Sequence, residues 1–147
     1  MREFSIDPEL DAFRAEIRKA AERAFSAKAA YWDQTAEFPR EILHQLADLG
    51  YLGLLIPEEY GGVGGTLQQA ILVSEELARV DANAALMAQM FLYTAPNHIA
   101  AIGTEEQKKK YLPKLVTGEY FFNVSLSEPQ AGSALTDLKA SAEIVGN

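Results

Sequence analysis

Apolar residues recur every three or four positions through most of the chain, which is the spacing of one face of an α-helix. The first helix is predicted to begin with Asp7 as its cap and Pro8 as its first residue, and to end near Ala30. A second helix follows Pro39 and is stopped by Gly50. The pattern therefore predicts a mainly α-helical first region.

Two further helices have caps that can be recognised in the sequence. Thr66 can cap a helix that runs to about Val80. Thr104 and Gln107 have the spacing of a capping box, and the helix that they open is predicted to end before Gly118. Because each helix has an apolar stripe, the helices are predicted to pack as an orthogonal or up-and-down helical domain.

Residues 82–103 contain no Asp, Glu, Lys or Arg, and the stretch is long enough to suggest a membrane span. Asn83, Gln89 and Asn97 interrupt it, and polar side chains are costly in lipid. Pro96 is expected to bend or break the helix. We therefore predict a buried helix and no membrane span.

The pattern changes at residue 120. Residues 120–126 form an apolar run rich in aromatic and β-branched side chains, which predicts a buried strand. The switch from helical to strand-like composition near Glu119 places a domain boundary there. The sequence predicts a helical domain over residues 1–119 and the beginning of a β-domain over residues 120–147.

Composition and charge narrow the class of protein. Of the 147 residues, 48% are hydrophobic and 23% are charged, as in a soluble globular protein. The net charge of -8 argues against nucleic-acid binding, which needs a basic face. The absence of cysteine excludes a disulfide framework and a thiol nucleophile. The first residues lack the apolar core of a secretory signal, so the expected location is cytoplasmic.

The residues after the predicted strand are candidates for ligand binding. Ser127, Gly132 and Ser133 lie around a turn at Pro129, where they offer hydroxyls and an accessible backbone amide. Such donors suit a carbonyl-rich ring or a pyrophosphate. An ordinary strand-to-turn connection is the alternative, and these residues alone leave both interpretations open.

Three other groups of residues invite functional interpretations that the sequence does not favour. Residues 61–65 read Gly-Gly-x-Gly-Gly, but this spacing is not the dinucleotide-binding pattern, and an interhelical turn is predicted. Glu75 and Glu76 would point about 100° apart on a helix, which favours a solvated face over a metal or acid–base pair. The lysines at 108–110 predict a solvated helical face rather than a phosphate site.

The histidines, serines and carboxylates of the chain do not form a self-contained catalytic set. His44 is expected to face water, and His98 is expected to be a core histidine. The serines lack the turn that exposes a nucleophile, and no spacing of histidines or carboxylates matches a metal site. We therefore expect no catalytic residue and no metal ligand in this chain.

Four motifs in order along the chain resemble those of the acyl-CoA dehydrogenase flavoenzymes. They are Ile-Pro-Glu-Glu-Tyr-Gly-Gly-Val-Gly-Gly (residues 56–65), Ser-Glu-Glu-Leu-Ala (74–78), Gly-Thr-Glu-Glu-Gln-Lys-Lys-Lys-Tyr-Leu-Pro (103–113) and Val-Ser-Leu-Ser-Glu-Pro-Gln-Ala-Gly-Ser (124–133). In one departure from the family pattern, Ala134 stands where the family usually has Asp.

The resemblance implies an N-terminal helical domain, a β-barrel-like middle domain and a C-terminal helical bundle. It also implies FAD as the cofactor and an acyl-CoA thioester as the substrate, which is oxidised between its α and β carbons with hydride transfer to the flavin N5. The family's catalytic base belongs to the C-terminal domain. It is therefore expected beyond Asn147, with this chain forming the first third or so of such an enzyme.

The resemblance also assigns binding roles position by position. The Leu126 backbone and the Ser127 hydroxyl would contact the flavin ring, and Val124 would lie along it. Gly132 and Ser133 would reach the pyrophosphate, and Ser133 would also meet the CoA portion of the substrate. The residues expected to face the acyl chain lie on the helix that floors the acyl pocket in the family: Met87, Met90 and Phe91.

The partners implied by the resemblance are an acyl-CoA substrate, an electron-transfer flavoprotein or similar acceptor, and further copies of the chain in a tetramer or dimer when full length. Two alternatives stay open. The helices could form a non-catalytic docking or assembly module with a vestigial flavin loop. The same fold could also belong to an acyl-CoA oxidase or a flavin monooxygenase.

Overall fold

The computed structural model of the chain describes residues 7–143 and 145–146. This part of the chain contains six α-helices and two single 3-10 turns, at Glu58–Tyr60 and Leu135–Asp137. The helices are α1 (Pro8–Thr35), α2 (Arg40–Asp48), α3 (Leu67–Ala78), α4 (Ala82–Tyr93), α5 (Ala95–Ile102) and α6 (Glu105–Val116). The prediction of a mainly α-helical protein is confirmed.

The helices pack through a chain of neighbouring contacts. Helix α3 packs against both α1 and α4, α4 also contacts α2 and α5, and α6 contacts α5 and the 3-10 turn at Glu58–Tyr60. The apolar stripes of α1 to α4 meet in one main core, because burying those stripes removes apolar surface from water. Its largest fully buried side chains are Ile17, Phe25, Ile42, Leu46, Leu52, Leu77, Phe91 and Leu92.

The helix starts follow the caps expected from the sequence. The Asp7 carboxylate accepts a hydrogen bond from the Glu9 amide at 2.9 Å, at the start of α1. Thr66 and Thr104 each form a reciprocal capping box with the residue three positions later. Helix α1 continues past the predicted end near Ala30, because Trp32 is still buried in the core and holds the last turn in place.

The predicted break in the long uncharged stretch is present. Helix α4 ends at Tyr93, and Pro96 lies in the first turn of α5, where its missing amide is not needed. The Asn97 side chain donates to the Leu92 carbonyl, which satisfies a backbone acceptor at the end of α4. Among the described residues, no helix is long and apolar enough to cross a membrane.

Residues 61–65 form a close-packed turn, in agreement with the interpretation as an interhelical connection. Gly61 has a φ of +85°, which favours glycine, and a Cβ placed on Gly62 would lie 2.0 Å from the Ile56 carbonyl oxygen. The preceding Tyr60 hydroxyl donates to the Glu105 carboxylate at 2.9 Å, which ties the turn to the start of α6. Gly61 is therefore needed for its backbone conformation, and Gly62 is needed for close packing against Ile56.

The buried strand predicted over residues 120–126 is not formed. Residues 121–127 belong to no strand, and the β-pairing found in the described part of the chain is a single bridge between Glu128 and Ala131. Most apolar side chains of this segment are exposed, with Leu126 at 54%, and Phe122 is half-buried against the main core. A strand needs backbone partners at its side, and no described segment lies alongside this one to supply them.

Candidate functional site

The segment that follows α6 is attached to the helices by aromatic side chains, and Phe122 is half-buried against the main core. The Phe121 ring packs edge-on against Phe38, with centroids 5.8 Å apart, and against Phe91 of α4, with centroids 6.2 Å apart. The Lys114 ammonium also lies 4.7 Å from the centroid of the Tyr120 ring and donates to Glu119 at 3.0 Å. These contacts fix where the chain leaves the helices.

The Glu128 carboxylate closes residues 128–140 into a loop. One of its oxygens accepts from the Lys139 amide at 2.9 Å, and the other accepts from the Ala140 amide at 2.7 Å. The two backbone hydrogen bonds hold the pKa of Glu128 below its ordinary value, because they stabilise the charged carboxylate. We call residues 128–140 the carboxylate-closed loop.

All five residues predicted to bind the cofactor lie within or just before the carboxylate-closed loop, and all are exposed. A Cβ built on Gly132 would meet no atom within 4 Å, and Gly132 is not among the glycines with positive φ. The backbone at this position is therefore open to close approach by a ligand and does not need glycine for its own conformation. The five residues are Val124, Leu126, Ser127, Gly132 and Ser133.

The three residues predicted to face an acyl chain lie on α4 but are mostly enclosed by protein. Phe91 is 1% exposed and lies beneath Phe121, and Met90 is half-buried against the main core. Met87, 5% exposed, borders a groove of about 410 Å3 that Trp32 also lines. The structure therefore buries Phe91 and Met87 in the core, with Met87 at the edge of an open groove, and packs the half-buried Met90 against that core.

The interpretation of Glu76 as part of a solvated face was wrong. Its carboxylate is 2% exposed, and Arg18 of α1 binds it through two nitrogens at 2.8 and 3.0 Å. Arg14 and Arg79 approach it at 3.8 and 3.5 Å. The Arg18 hydrogen bonds lower the pKa of Glu76, although burial acts against this. Because α1 lies across α3, arginines that are distant in sequence enclose a carboxylate that helical spacing alone would expose.

The adjacent Glu75 and the two histidines face solvent. Glu75 is exposed and pairs with Arg14 at 2.7 Å. His44 is exposed as expected, whereas His98 is exposed contrary to the core position expected for it. The His98 Nδ1 lies 2.9 Å from the Thr94 carbonyl oxygen, in the first turn of α5. Within the described residues, no three His, Asp or Glu side chains are grouped as a metal ion would require.

The exposed segment over residues 124–133 offers groups of the kinds that a flavin nucleotide requires. Leu126 and Val124 present apolar surface for a ring, and Ser127 and Ser133 present hydroxyls for its polar edge or for phosphate oxygens. The open backbone at Gly132 leaves room for a pyrophosphate beside the main chain. Glu128 is poorly suited to accept a proton, because both its oxygens accept backbone hydrogen bonds and its pKa is lowered.

The helical region matches a known family. The family model described as "Acyl-CoA dehydrogenase, N-terminal domain" matches residues 7–119. This chain belongs to the acyl-CoA dehydrogenase family. The mitochondrial isovaleryl-CoA dehydrogenase of Bos taurus is 37% identical over 144 residues, which cover 97% of this chain and 34% of that protein. The chain therefore spans about a third of the length of this curated relative.

Solved structures of acyl-CoA dehydrogenases have the same fold. A glutaryl-coenzyme A dehydrogenase in complex with glutaryl-CoA has a TM-score of 0.83 and 32% identity, covering 93% of this chain and 36% of that one. An acyl-CoA dehydrogenase from Bacillus anthracis complexed with FAD has a TM-score of 0.81 and 30% identity, covering 94% of this chain and 24% of that one.

The sequence did not indicate the residues that position the segment after α6 and the carboxylate-closed loop. Phe121 and Phe38 are far apart in sequence, and no periodicity indicates that their rings meet. The bonds of Glu128 to the Lys139 and Ala140 amides depend on a chain reversal, which the periodicity of the sequence does not indicate. The sequence Glu-Pro before Ala-Gly-Ser was the available signal, because a proline-marked turn can bring a carboxylate back towards later amides.

Proposed function

We propose that this chain is the N-terminal part of an FAD-dependent acyl-CoA dehydrogenase, which oxidises an acyl-CoA thioester between its α and β carbons. The observation that carries the proposal is the exposure of all five predicted cofactor residues on the segment that follows the matched helical region. The proposal includes the division into a helical domain over residues 1–119 and the beginning of a middle β-domain over residues 120–147.

FAD, when bound, would supply the hydride acceptor for this oxidation. The Leu126 backbone and the Ser127 hydroxyl would hold the polar edge of the ring, and Val124 would cover its apolar surface. The backbone at Gly132 and the Ser133 hydroxyl would bind the pyrophosphate, and Ser133 would also contact the CoA portion of the substrate. The exposure of all five residues supports these roles, because a ligand can reach them without rearrangement of the helices.

The proton at the substrate α carbon would be removed by a base outside the described residues. Glu128 is the one acidic residue within residues 120–134, and it is therefore the carboxylate nearest in sequence to the predicted cofactor residues. Its oxygens are engaged by the Lys139 and Ala140 amides, and its lowered pKa makes it a weak base. The loop would therefore bind and orient the cofactor without taking part in the proton transfer.

The acyl chain would pass near α4. Met87 is the candidate that borders an open groove, which Trp32 and Phe38 also line. Met90 and Phe91 would shape the pocket from within the core, where they determine the position of the α4 surface. The proposal also includes an electron-transfer flavoprotein or a similar protein as the electron acceptor. It further includes a homo-oligomeric assembly and a cytoplasmic location.

The proposal is tested on the protein encoded by the complete reading frame that contains this chain. We expect the purified protein to show the visible absorption of bound FAD, and we expect an anaerobic series of acyl-CoA thioesters to bleach it. Failure to bind FAD would contradict the proposal, as would bound flavin that no acyl-CoA reduces. Rapid reoxidation of the bleached flavin by oxygen would indicate an oxidase instead of a dehydrogenase.

A further inference from the structure

The carboxylate-closed loop is held together from one end to the other by a single side chain. Within the described residues, the hydrogen bonds that join its two ends are those from the Lys139 and Ala140 amides to Glu128, across 11 and 12 positions in sequence. The remaining backbone bonds of the loop are local, such as the bridge between Glu128 and Ala131 and the turn at Leu135–Asp137.

We propose that Glu128 is a positioning residue whose carboxylate closes residues 128–140 and thereby fixes Ser127, Gly132 and Ser133 for a flavin nucleotide. This inference rests on the proposed function for the identity of the ligand. Ser127 immediately precedes the residue that forms the closure, and Gly132 and Ser133 lie inside the closed loop. If the carboxylate releases the two amides, the local turns alone determine where these groups lie.

The geometry favours a charged acceptor at this position. Each carboxylate oxygen receives one backbone amide, so both donors at the far end of the loop are satisfied at once. Hydrogen bonds to a charged acceptor are stronger than those between neutral groups. The Gln130 side-chain amide also contacts the Glu128 carboxylate, which further restricts its rotamer.

Two substitutions of Glu128 separate the effect of its negative charge from the effect of its side-chain length. In Glu128→Gln the side chain keeps its shape, but one oxygen becomes an NH2 group that faces a backbone donor, so one of the two bonds is lost. In Glu128→Asp the charge remains on a side chain that is one methylene shorter. Glu143→Gln is the matched control, because it makes the same change of charge at an exposed position of the same segment.

The first readout is amide hydrogen exchange in the free chain, resolved at Lys139 and Ala140. We expect exchange at these amides to be roughly tenfold faster in Glu128→Gln than in the wild type, as for the loss of one charge-assisted hydrogen bond. Glu143→Gln should match the wild type. Thermal unfolding of the helices should be the same in all variants, because the loop contributes little to the core. Equal exchange in the wild type and Glu128→Gln would overturn the inference.

The second readout is FAD affinity in the protein encoded by the complete reading frame. We expect Glu128→Gln and Glu128→Asp to weaken FAD binding by roughly tenfold, with Glu143→Gln unchanged. Faster loop exchange with unchanged FAD affinity would overturn the positioning role. A wild-type protein that binds no FAD would contradict the proposed function and remove the flavin from this inference, and the exchange result would still decide whether Glu128 closes the loop.

Discussion

The helices and the segment after residue 119 are stabilised in different ways. The helical region has a continuous core in which side chains such as Phe25 and Leu46 are fully buried. Between residues 120 and 143, Ala131 is the one buried residue, and the chain is held by the Phe121 and Phe122 side chains and by the hydrogen bonds to Glu128. A core residue contributes about 1.5–3 kcal/mol through burial, whereas a typical hydrogen bond contributes about 0.5–1.5 kcal/mol.

This difference indicates a division of roles between the two regions. Segments with few buried contacts open most easily, and ligand-binding loops are commonly drawn from them. The helices provide a rigid support, and the exposed segment presents its polar groups and apolar side chains to a ligand. Substitutions should therefore affect global stability in the helices and ligand binding in the segment.

The largest expected effect is a core truncation in α1. Phe25→Ala should lower the free energy of unfolding by about 3–5 kcal/mol, because it removes a fully buried ring and leaves a cavity. Leu126→Ala is the comparison, since it removes an apolar side chain that is mostly exposed, and it should change stability by less than about 0.5 kcal/mol. Urea unfolding followed by circular dichroism measures both. Similar losses of unfolding free energy in the two variants would contradict the proposed difference in stabilisation between the helices and the segment after residue 119.

The next largest effect is expected at the buried carboxylate between α1 and α3. Glu76→Gln should cost about 2 kcal/mol, less than for a fully enclosed ion pair because its arginine partners are themselves 31–64% exposed. Glu75→Gln is the neighbouring control and should cost less than about 0.5 kcal/mol, because that carboxylate is 53% exposed. Equal losses on urea unfolding would contradict the structural role assigned to Glu76.

The same carboxylate should make the helical region sensitive to acid. The pKa of Glu76 is lower in the folded protein than its ordinary value of 4.5, so its stabilising contribution is complete above that value and is lost as pH falls through the folded pKa. Arg14, Arg18 and Arg79 stay charged throughout this range. The stability difference between wild type and Glu76→Gln, measured by thermal unfolding at a series of pH values, should therefore shrink in acid. A constant difference would argue against this linkage.

The smallest expected effect concerns the departure from the family pattern at Ala134. This residue caps the 3-10 turn at Leu135–Asp137 but has no side chain that can accept a hydrogen bond. Ala134→Asp should stabilise the turn by about 0.5 kcal/mol, and Ala134→Asn should do the same without adding charge. Amide exchange at Asp137 measures the change, and global unfolding should not detect it. Slower exchange of the Asp137 amide in Ala134→Asp but not in Ala134→Asn would indicate that the added negative charge, and not a capping hydrogen bond, stabilises the turn.

The sequence was sufficient to predict features that depend on neighbouring residues. The caps at Asp7, Thr66 and Thr104 and the break at Pro96 are local, and the structure contains each of them. The apolar periodicity likewise predicted the helices, although α1 runs to Thr35 because the buried Trp32 extends it.

Features that depend on contacts between distant residues could not be predicted in this way. Glu76 is buried because arginines from α1 neutralise it, and helical spacing gives no sign of them. The apolar run at residues 120–126 indicated a strand, but the described chain offers it no backbone partner. The closure by Glu128 depends on amides 11 and 12 positions later. The candidate site was therefore located from its motif, whereas its organisation required the structure.

The measurement that tests the central claim most directly is the FAD affinity of a Gly132→Ala variant, compared with that of the wild type. In the free chain a Cβ at this position meets nothing within 4 Å, so Gly132→Ala should leave folding and unfolding unchanged. If a pyrophosphate lies against this backbone, the added methyl should cost about 1–3 kcal/mol of binding, a loss of roughly tenfold or more in affinity. The account predicts this loss in titrations of the protein from the complete reading frame. Unchanged FAD affinity in a normally folded Gly132→Ala variant would contradict it.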